Sequence, residues 1–316
     1  MTHIGPNTRG VYIISVTPFT EAGEIDWASV DTLTEFYIGK AVSGITILGM
    51  MGEAQKLAEE ESAAFAKYVI ARVAGRVPVV VGVSQAGIDN LVHLAKSVMD
   101  AGAGGVMIAP AAGLKTDVAI RDYFAAVFAR LGPSIPVCFQ DYPLGTGVNV
   151  SVPTFLELVE AHENLVMFKH EDWPGLRKLG QVRRACDGTA QRRISILTGN
   201  GGLYLPQELR RGADGAMTGF AYPEMLVDVC RLFADGRAED AEDLFDAYLP
   251  LVRHEQQIGV GLAIRKEILR RRGAIASAAV RAPGPRLDRD DLDELDRLMA
   301  RLERRAPALQ GRSAAA

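Results

Sequence analysis

Eight short apolar runs recur along the chain, at residues 11–16, 44–48, 77–83, 105–109, 135–139, 165–168, 194–197 and 215–217. No other feature constrains the fold as tightly. The runs are rich in Val and Ile, lack polar alternation, and end in Gly, Pro or polar residues. A strand with one wet face alternates apolar with polar; a strand apolar throughout is buried on both faces, as in parallel sheets. Longer amphipathic segments separate the runs, among them residues 27–40, 59–73, 90–101, 117–131 and 152–161. Eight strands with seven intervening helical segments, spaced at roughly 25 to 35 residues, predict an α/β chain of the (β/α)8 (TIM) barrel class in preference to an open doubly wound sheet.

Helix start signals agree with this parsing. Asp26, Asp89 and Ser151 each stand where a side-chain oxygen can cap the following helix, and Pro153 sits in a first turn where its missing N–H is not needed. The last third reads differently. Residues 239–253 and 258–272 are helical with no strand between them, and a Pro/Gly linker at 281–286 leads to a helix over 290–305. In that last helix Leu292, Leu295, Leu298, Met299 and Leu302 form one apolar stripe. The expected organisation is a barrel over residues 1–235 with a helical extension over 236–316 packed on it, ending in a disordered tail at 312–316.

Bulk properties exclude several function classes. A net charge of −4 over 316 residues provides no basic stripe for nucleic acid and no polybasic membrane anchor. The apolar runs are too short to span a bilayer, and no basic segment followed by an apolar one opens the chain. Three distant cysteines, Cys138, Cys186 and Cys230, argue against a zinc site or a disulfide framework and fit a reducing cytoplasm. His254-Glu255-Gln256 begins like a zinc-protease motif but lacks the second His. No metal is expected.

In a barrel of this class chemistry sits at the C-terminal ends of the strands. There the chain offers Thr17-Pro18-Phe19, Gly49-Met50-Met51-Gly52-Glu53, Pro110-Ala111-Ala112-Gly113, Gln140-Asp141-Tyr142-Pro143, Lys169-His170-Glu171-Asp172, Gly199-Asn200-Gly201-Gly202 and, after strand 8, Thr218-Gly219-Phe220. Of eight lysines, six besides Lys169 stand in contexts that read as helix surface or loop, whereas Lys169 ends a buried run. An amine attacks a carbonyl only when neutral, and burial disfavours the charged form. The alternative is a strand-end lysine paired with Glu171 or Asp172 and otherwise solvated. The glycines at 49–52 and 199–202 let backbone amides approach an anion, though tight turns need glycine too.

Taken together, the strand ends resemble the dihydrodipicolinate synthase / N-acetylneuraminate lyase family of Schiff-base barrels, from about Gly10 to about Gly273. Val16-Thr17-Pro18-Phe19 resembles the family's V-T-P-F, and Gly49-Met50-Met51-Gly52-Glu53 its G-[ST]-T-G-E loop. Ala109-Pro110 stands at the family's T-P or P-P-Y, and Pro143 with Gly145-Thr146-Gly147 resembles Y-N-x-P-x-x-T-G. Phe168-Lys169-His170-Glu171 resembles G-x-K-[ED]-[AS], and Leu197-Thr198-Gly199-Asn200 the following S-G-[DN] turn. The resemblance implies that Lys169 forms an imine with a 2-oxo acid such as pyruvate. It also implies that no cofactor beyond that covalent imine is needed, and that the protein is a homotetramer, a dimer of dimers.

The departures matter as much. Met50 and Met51 replace the two hydroxyl residues that help bind the substrate carboxylate and relay protons, leaving backbone amides such as that of Gly52. Gln140 replaces the tyrosine that acts as general acid/base, and an amide cannot transfer a proton at neutral pH. Ala111 or Ala112 replaces the aromatic residue after strand 4, and Gly145 the arginine that binds a dicarboxylate product. These losses disfavour dihydrodipicolinate synthase itself and N-acetylneuraminate lyase. Tyr142, two residues after Gln140, is the expected replacement proton carrier, with Asp141, His170 and Glu171 as other titratable groups.

The expected function is a Schiff-base-forming lyase (aldolase, hydratase-aldolase or dehydratase) acting on a 2-oxo acid. Lys169, Tyr142 and Gln140 stand at the imine; Met50, Met51, Gly52, Thr17, Gly199 and Met217 around the substrate, with Met50, Met51, Ala111 and Ala112 able to receive an apolar tail. The alternatives are a binding or regulatory protein that kept the lysine but lost turnover, and a metal-dependent barrel hydrolase, for which the five histidines form no suitable set.

Overall fold

The computed structural model describes residues 2–173, 175–189 and 191–314. Strands β1 (Gly10–Ile14), β2 (Gly44–Ile47), β3 (Val79–Gly82), β4 (Gly105–Ile108), β5 (Val137–Asp141), β6 (Leu165–His170), β7 (Ser195–Thr198) and β8 (Gly215–Ala216) form one closed parallel barrel in sequence order. All eight fall on the expected apolar runs, within a few residues at each end. The last is only two residues long, and it closes the barrel by pairing Gly10 with Gly215 and Val11 with Ala216.

Around the barrel lie α1 (Trp27–Gly39), α2 (Glu59–Val73), α3 (Ile88–Asp100), α4 (Asp117–Leu131), α5 (Pro143–Thr146), α6 (Val152–Ala161), α7 (Leu176–Ala185), α8 (Leu205–Arg210) and α9 (Pro223–Ala234). Asp26 accepts the Ser29 N–H at 3.1 Å, and Ser151 accepts the Thr154 N–H at 3.2 Å, as their positions predict. Asp89 is different: α3 starts earlier, after Gly87, so Asp89 lies inside the first turn and complements the helix dipole instead of capping it.

The extension comprises α10 (Ala238–Glu255), α11 (Gly261–Arg271) and α12 (Arg289–Ala314). The expected boundary at 235/236 falls in the turn between α9 and α10. Helix α10 packs on α9 and α12 and reaches the turn after β7. Helix α12 continues past Arg305 into the tail expected to be disordered. The helix runs through Pro307 and Gly311, the two weakest helix formers, so propensity does not account for this last stretch; Ala315 and Ala316 lie outside the described residues. Among the described residues no helix is long and apolar enough to cross a membrane.

Two cores follow from the two-residue period of a strand. One set of side chains faces the helices, including Val81, Ile108, Phe139, Phe168 and Ile196. The other fills the barrel: Ile4, Tyr12, Ile14, Val80, Met107, Cys138, Met167, Leu197 and Met217. Ile4 plugs the N-terminal end, where its N–H donates to the Gly104 carbonyl at 2.8 Å. Above this plug the inward positions of β5 and β6 turn polar, and a cavity opens there.

Candidate active site

Along β6 the inward residues are Met167, Lys169 and then, one step past the strand's end, Glu171. On β5 they are Cys138, Gln140 and Tyr142, and Gln140 pairs with Lys169 in the ladder register. Lys169 is 3 % exposed. Its Nζ lies 3.0 Å from Glu171 Oε2, and the Gln140 side-chain amide donates to the same oxygen at 2.7 Å. A carboxylate thus receives two donors in a buried setting, where an unpaired charge would be costly.

The space for Glu171 comes from Gly199: a Cβ there would overlap the Glu171 carboxyl stem. That is the structural duty of a glycine expected to contact substrate. Tyr142 lines the same cavity. Burial, and after it the nearby Glu171 carboxylate, pushes its hydroxyl above the ordinary tyrosine value, so it is a donor at neutral pH. A Cβ on Gly145 would overlap the Tyr142 ring, so the ring takes up space beside the position where the family's arginine stands.

Asp141 and His170 have the opposite parity and leave the cavity. Asp141 is fully buried between barrel and helices, 2.6 Å from Lys178 Nζ, with His170 Nδ1 3.8 Å away. His170 Nε2 stands 3.0 Å from the Gly175 carbonyl. Glu208 of α8 belongs to this outer group, and burial raises its carboxyl to about 7. Neither Asp141 nor His170 stands beside the Lys169 amine, contrary to the expectation that grouped them with Glu171.

Lys169, Gln140, Tyr142, Met50 and Met51 line one cavity of about 60 Å³, together with Ile14, Glu171, Asn200, Gly201, Thr218, Gly219, Gln256 and Arg265. Four expected site residues are not among its lining. Met217 is fully buried in the barrel below, its sulfur 3.9 Å from Cys138 Sγ. Thr17 donates its hydroxyl to the Gly52 carbonyl at 2.6 Å, and the Gly52 N–H goes to Gly49 at 3.0 Å. Thr17 and Gly52 therefore brace the loop after β2, and the Gly52 amide is not free for a carboxylate. Gly199 stands behind Glu171. Ala111 and Ala112 are also absent from the lining, so the side expected to hold an apolar tail is not part of this cavity.

Burial alone does not single out Lys169. Lys266 is completely buried and bonds Glu53 at 2.6 Å, the Thr17 carbonyl at 2.9 Å and the Ala279 carbonyl at 2.8 Å. Lys178 is held by Asp141 and Asp172. These two lysines are structural struts, whereas Lys169 faces a cavity. A larger cavity of about 620 Å³ lies at the barrel's other end, around Arg183, Arg193 and Asp214. There Asp214 pairs with both arginines, and conserved chemistry in such barrels belongs to the opposite face.

Two lining residues missed by the sequence reading come from the extension. Gln256 follows α10, above Gly201, where a Cβ would overlap its amide. Arg265 of α11 is 2 % exposed; its Nε donates to Glu255, whose other oxygen accepts the Ala221 N–H at 3.1 Å. Arg265 Nη1 is buried and has no hydrogen-bond partner. In the sequence Arg265 stands in a helix rich in basic residues, and nothing there separates it from its solvated neighbours Arg270 and Arg271.

A closed (β/α)8 barrel with an amine, a carboxylate and an amide converging at the C-terminal ends of β5 and β6 defines a barrel protein equipped for proton-coupled chemistry on a small molecule. Residues 7–302 match the dihydrodipicolinate synthetase family, and the chain belongs to that family of lyases. It is 29% identical over 302 residues to an L-2-keto-3-deoxyarabonate dehydratase of Azospirillum brasilense, covering 94% of this chain and 96% of that one. A 4-hydroxy-tetrahydrodipicolinate synthase of Sorangium cellulosum is 32% identical over 246 residues, covering 77% and 79%. Among solved structures, a dihydrodipicolinate synthase from Rhodopseudomonas palustris superposes with a TM-score of 0.93 at 44% identity, over 95% of this chain and 100% of that one.

Proposed function

We propose that the protein is a Schiff-base-forming lyase that acts on a hydroxylated 2-oxo acid, with Lys169 as the imine-forming amine and Glu171 as the proton carrier. The observation that carries this reading is the Glu171 carboxylate lying against both the Lys169 amine and the Gln140 amide. Glu171 takes the proton that the ammonium must lose, and the neutral amine adds to C2 of the substrate. Glu171 returns the proton as the carbinolamine expels water, and the iminium forms. The iminium then accepts the electron pair released at C3, either from a C3–H bond before loss of a hydroxyl or from cleavage of C3–C4. Gln140 steers the carboxylate by holding the oxygen nearest the amine, and Tyr142 supplies a hydroxyl donor at the leaving group.

Asn200, Thr218 and Gln256 give the cavity a polar wall, which suits substrate hydroxyls better than an apolar tail. With Gly145 in place of the arginine, a dehydratase or hydratase-aldolase fits better than dihydrodipicolinate synthesis, and the relative matched over 94% of this chain is a keto-deoxy acid dehydratase. A turnover-deficient binding protein is the weaker reading, because the Glu171 carboxylate beside Lys169 offers a proton carrier that Gln140 cannot provide. We also propose the homotetramer that the family resemblance implies, which sedimentation in solution tests.

The mechanism is tested by following exchange of the C3 protons of pyruvate with deuterium by NMR. Exchange needs both the imine and a proton carrier. The wild type exchanges these protons, Lys169→Ala abolishes exchange, and Glu171→Gln slows it by about 100-fold or more. Equal exchange in Glu171→Gln and wild type would remove Glu171 from the mechanism.

A further inference from the structure

We propose that Arg265, supplied by the C-terminal extension, is the group that binds the substrate's C1 carboxylate and makes the site selective for 2-oxo acids over neutral carbonyl compounds. This inference rests on the reading of the cavity as the site where Lys169 meets a carbonyl.

Met50 and Met51 border the cavity without a side-chain donor, and the Gly52 amide is already given to Gly49. A charged partner for a carboxylate entering here must therefore come from another element. Among the described residues lining the cavity, the cations are Lys169 and Arg265, and Lys169 is committed to the carbonyl carbon. Arg265 has the properties the task requires. Its Nε edge is fixed by Glu255, itself completely buried and pinned through the Ala221 N–H. The fork is thereby held rigidly, while Nη1 lies buried in the cavity wall with no acceptor. A buried guanidinium N–H without a protein acceptor is destabilising by itself, and an incoming carboxylate satisfies it with a charge-assisted bond.

The local sequence is built around this placement. Gly219, just after β8, is itself part of the cavity wall, and a Cβ there would overlap the Arg265 guanidinium. Position 219 is therefore restricted to glycine by the side chain it admits. The arrangement also gives the extension a function: α11 brings a second cation to the cavity, beside the lysine that β6 supplies.

The test compares ligands that differ only in the carboxylate. Imine trapping is measured with pyruvate and with pyruvamide, and calorimetric binding with lactate and lactamide, which cannot form an imine. The variants are Arg265→Lys, Gly219→Ala, and the double substitution Arg265→Met/Glu255→Met, which removes both members of the buried pair and so avoids an orphan charge. Each is checked for a cooperative thermal transition. The wild type is expected to prefer pyruvate and lactate over their amides by on the order of 100-fold. That preference should fall at least tenfold in the double variant and in Gly219→Ala, with Arg265→Lys in between. An unchanged preference in the folded double variant overturns the proposal. If no imine forms with any substrate but lactate binding still depends on Arg265, the imine reading fails and the carboxylate assignment stands.

Discussion

Glu171 Oε2 lies 3.0 Å from the Nζ of Lys169, two residues before it on the same strand path, and both side chains turn into the barrel. A strand's two-residue period makes this pair possible, and Gly199 on the neighbouring strand makes room for it. The buried amine and the carboxylate beside it are thus specified together by one segment, Lys169-His170-Glu171.

Glu171→Gln is expected to lower kcat by about 100-fold or more while leaving the fold intact, because the amide can still accept from Lys169 and Gln140 but cannot carry a proton. The measurement is steady-state turnover of the best 2-oxo acid. Full activity in this variant would assign the proton to another group, with Tyr142 next in line.

Gly199→Ala tests the same pair from behind. Its Cβ pushes the Glu171 carboxyl from its seat, and displacement by even about 1 Å is expected to reduce kcat on the order of 10- to 100-fold. Thermal unfolding of the variant should stay cooperative. A kinetically silent Gly199→Ala would mean that Glu171 position is unimportant.

Recognition of the barrel from sequence worked because parallel strands buried on both faces leave a plain signature, and the eight runs carry it without exception. Lys169 was readable for the same reason: a cation ending a buried run is conspicuous. Glu171 was visible only as one of several titratable neighbours, since which of Asp141, Tyr142, His170 and Glu171 faces inward depends on where each strand's pleat continues past its last pair. Gly199 and Gly201 read as glycines of a turn or an anion loop and Gly219 only as a strand-end residue, yet each makes space for a long polar side chain from elsewhere, Glu171, Gln256 and Arg265. Gln256 and Arg265 could not be read at all: their place over the barrel depends on how α10 and α11 fold back, a long-range relation that helix periodicity does not contain.

Lys266 shows how a buried lysine behaves as a strut. It ties α11 to Glu53 and to the Thr17 and Ala279 carbonyls. Lys266→Met leaves Glu53 buried with one strong partner lost, and is expected to destabilise the protein by about 3–5 kcal/mol in denaturant unfolding. A change below about 1 kcal/mol would show that Glu53 finds its compensation in Lys56 and the Arg281 N–H.

Glu208 gives a pH signature of stability. Its carboxyl is raised to about 7 in the folded protein, chiefly by burial, above its value in an unfolded chain. The folded state therefore holds a proton that the unfolded state has released between about pH 4.5 and 7, and this group lowers stability progressively as pH rises through that window. Glu208→Gln removes the effect, so the variant gains on wild type as pH rises, by up to about 3 kcal/mol at pH 8, with little difference near pH 4.5. Parallel stability curves for the two proteins from pH 5 to 8 would contradict this.

The central claim, that Lys169 is the imine lysine, is tested most directly by borohydride reduction in the presence of pyruvate and a panel of hydroxylated 2-oxo acids, followed by intact mass and peptide mapping. The account predicts a single reduced adduct on the peptide containing Lys169, absent in Lys169→Ala and retained when Lys178 is removed. A folded protein that forms no adduct with any 2-oxo acid, or forms it on another lysine, would contradict the account.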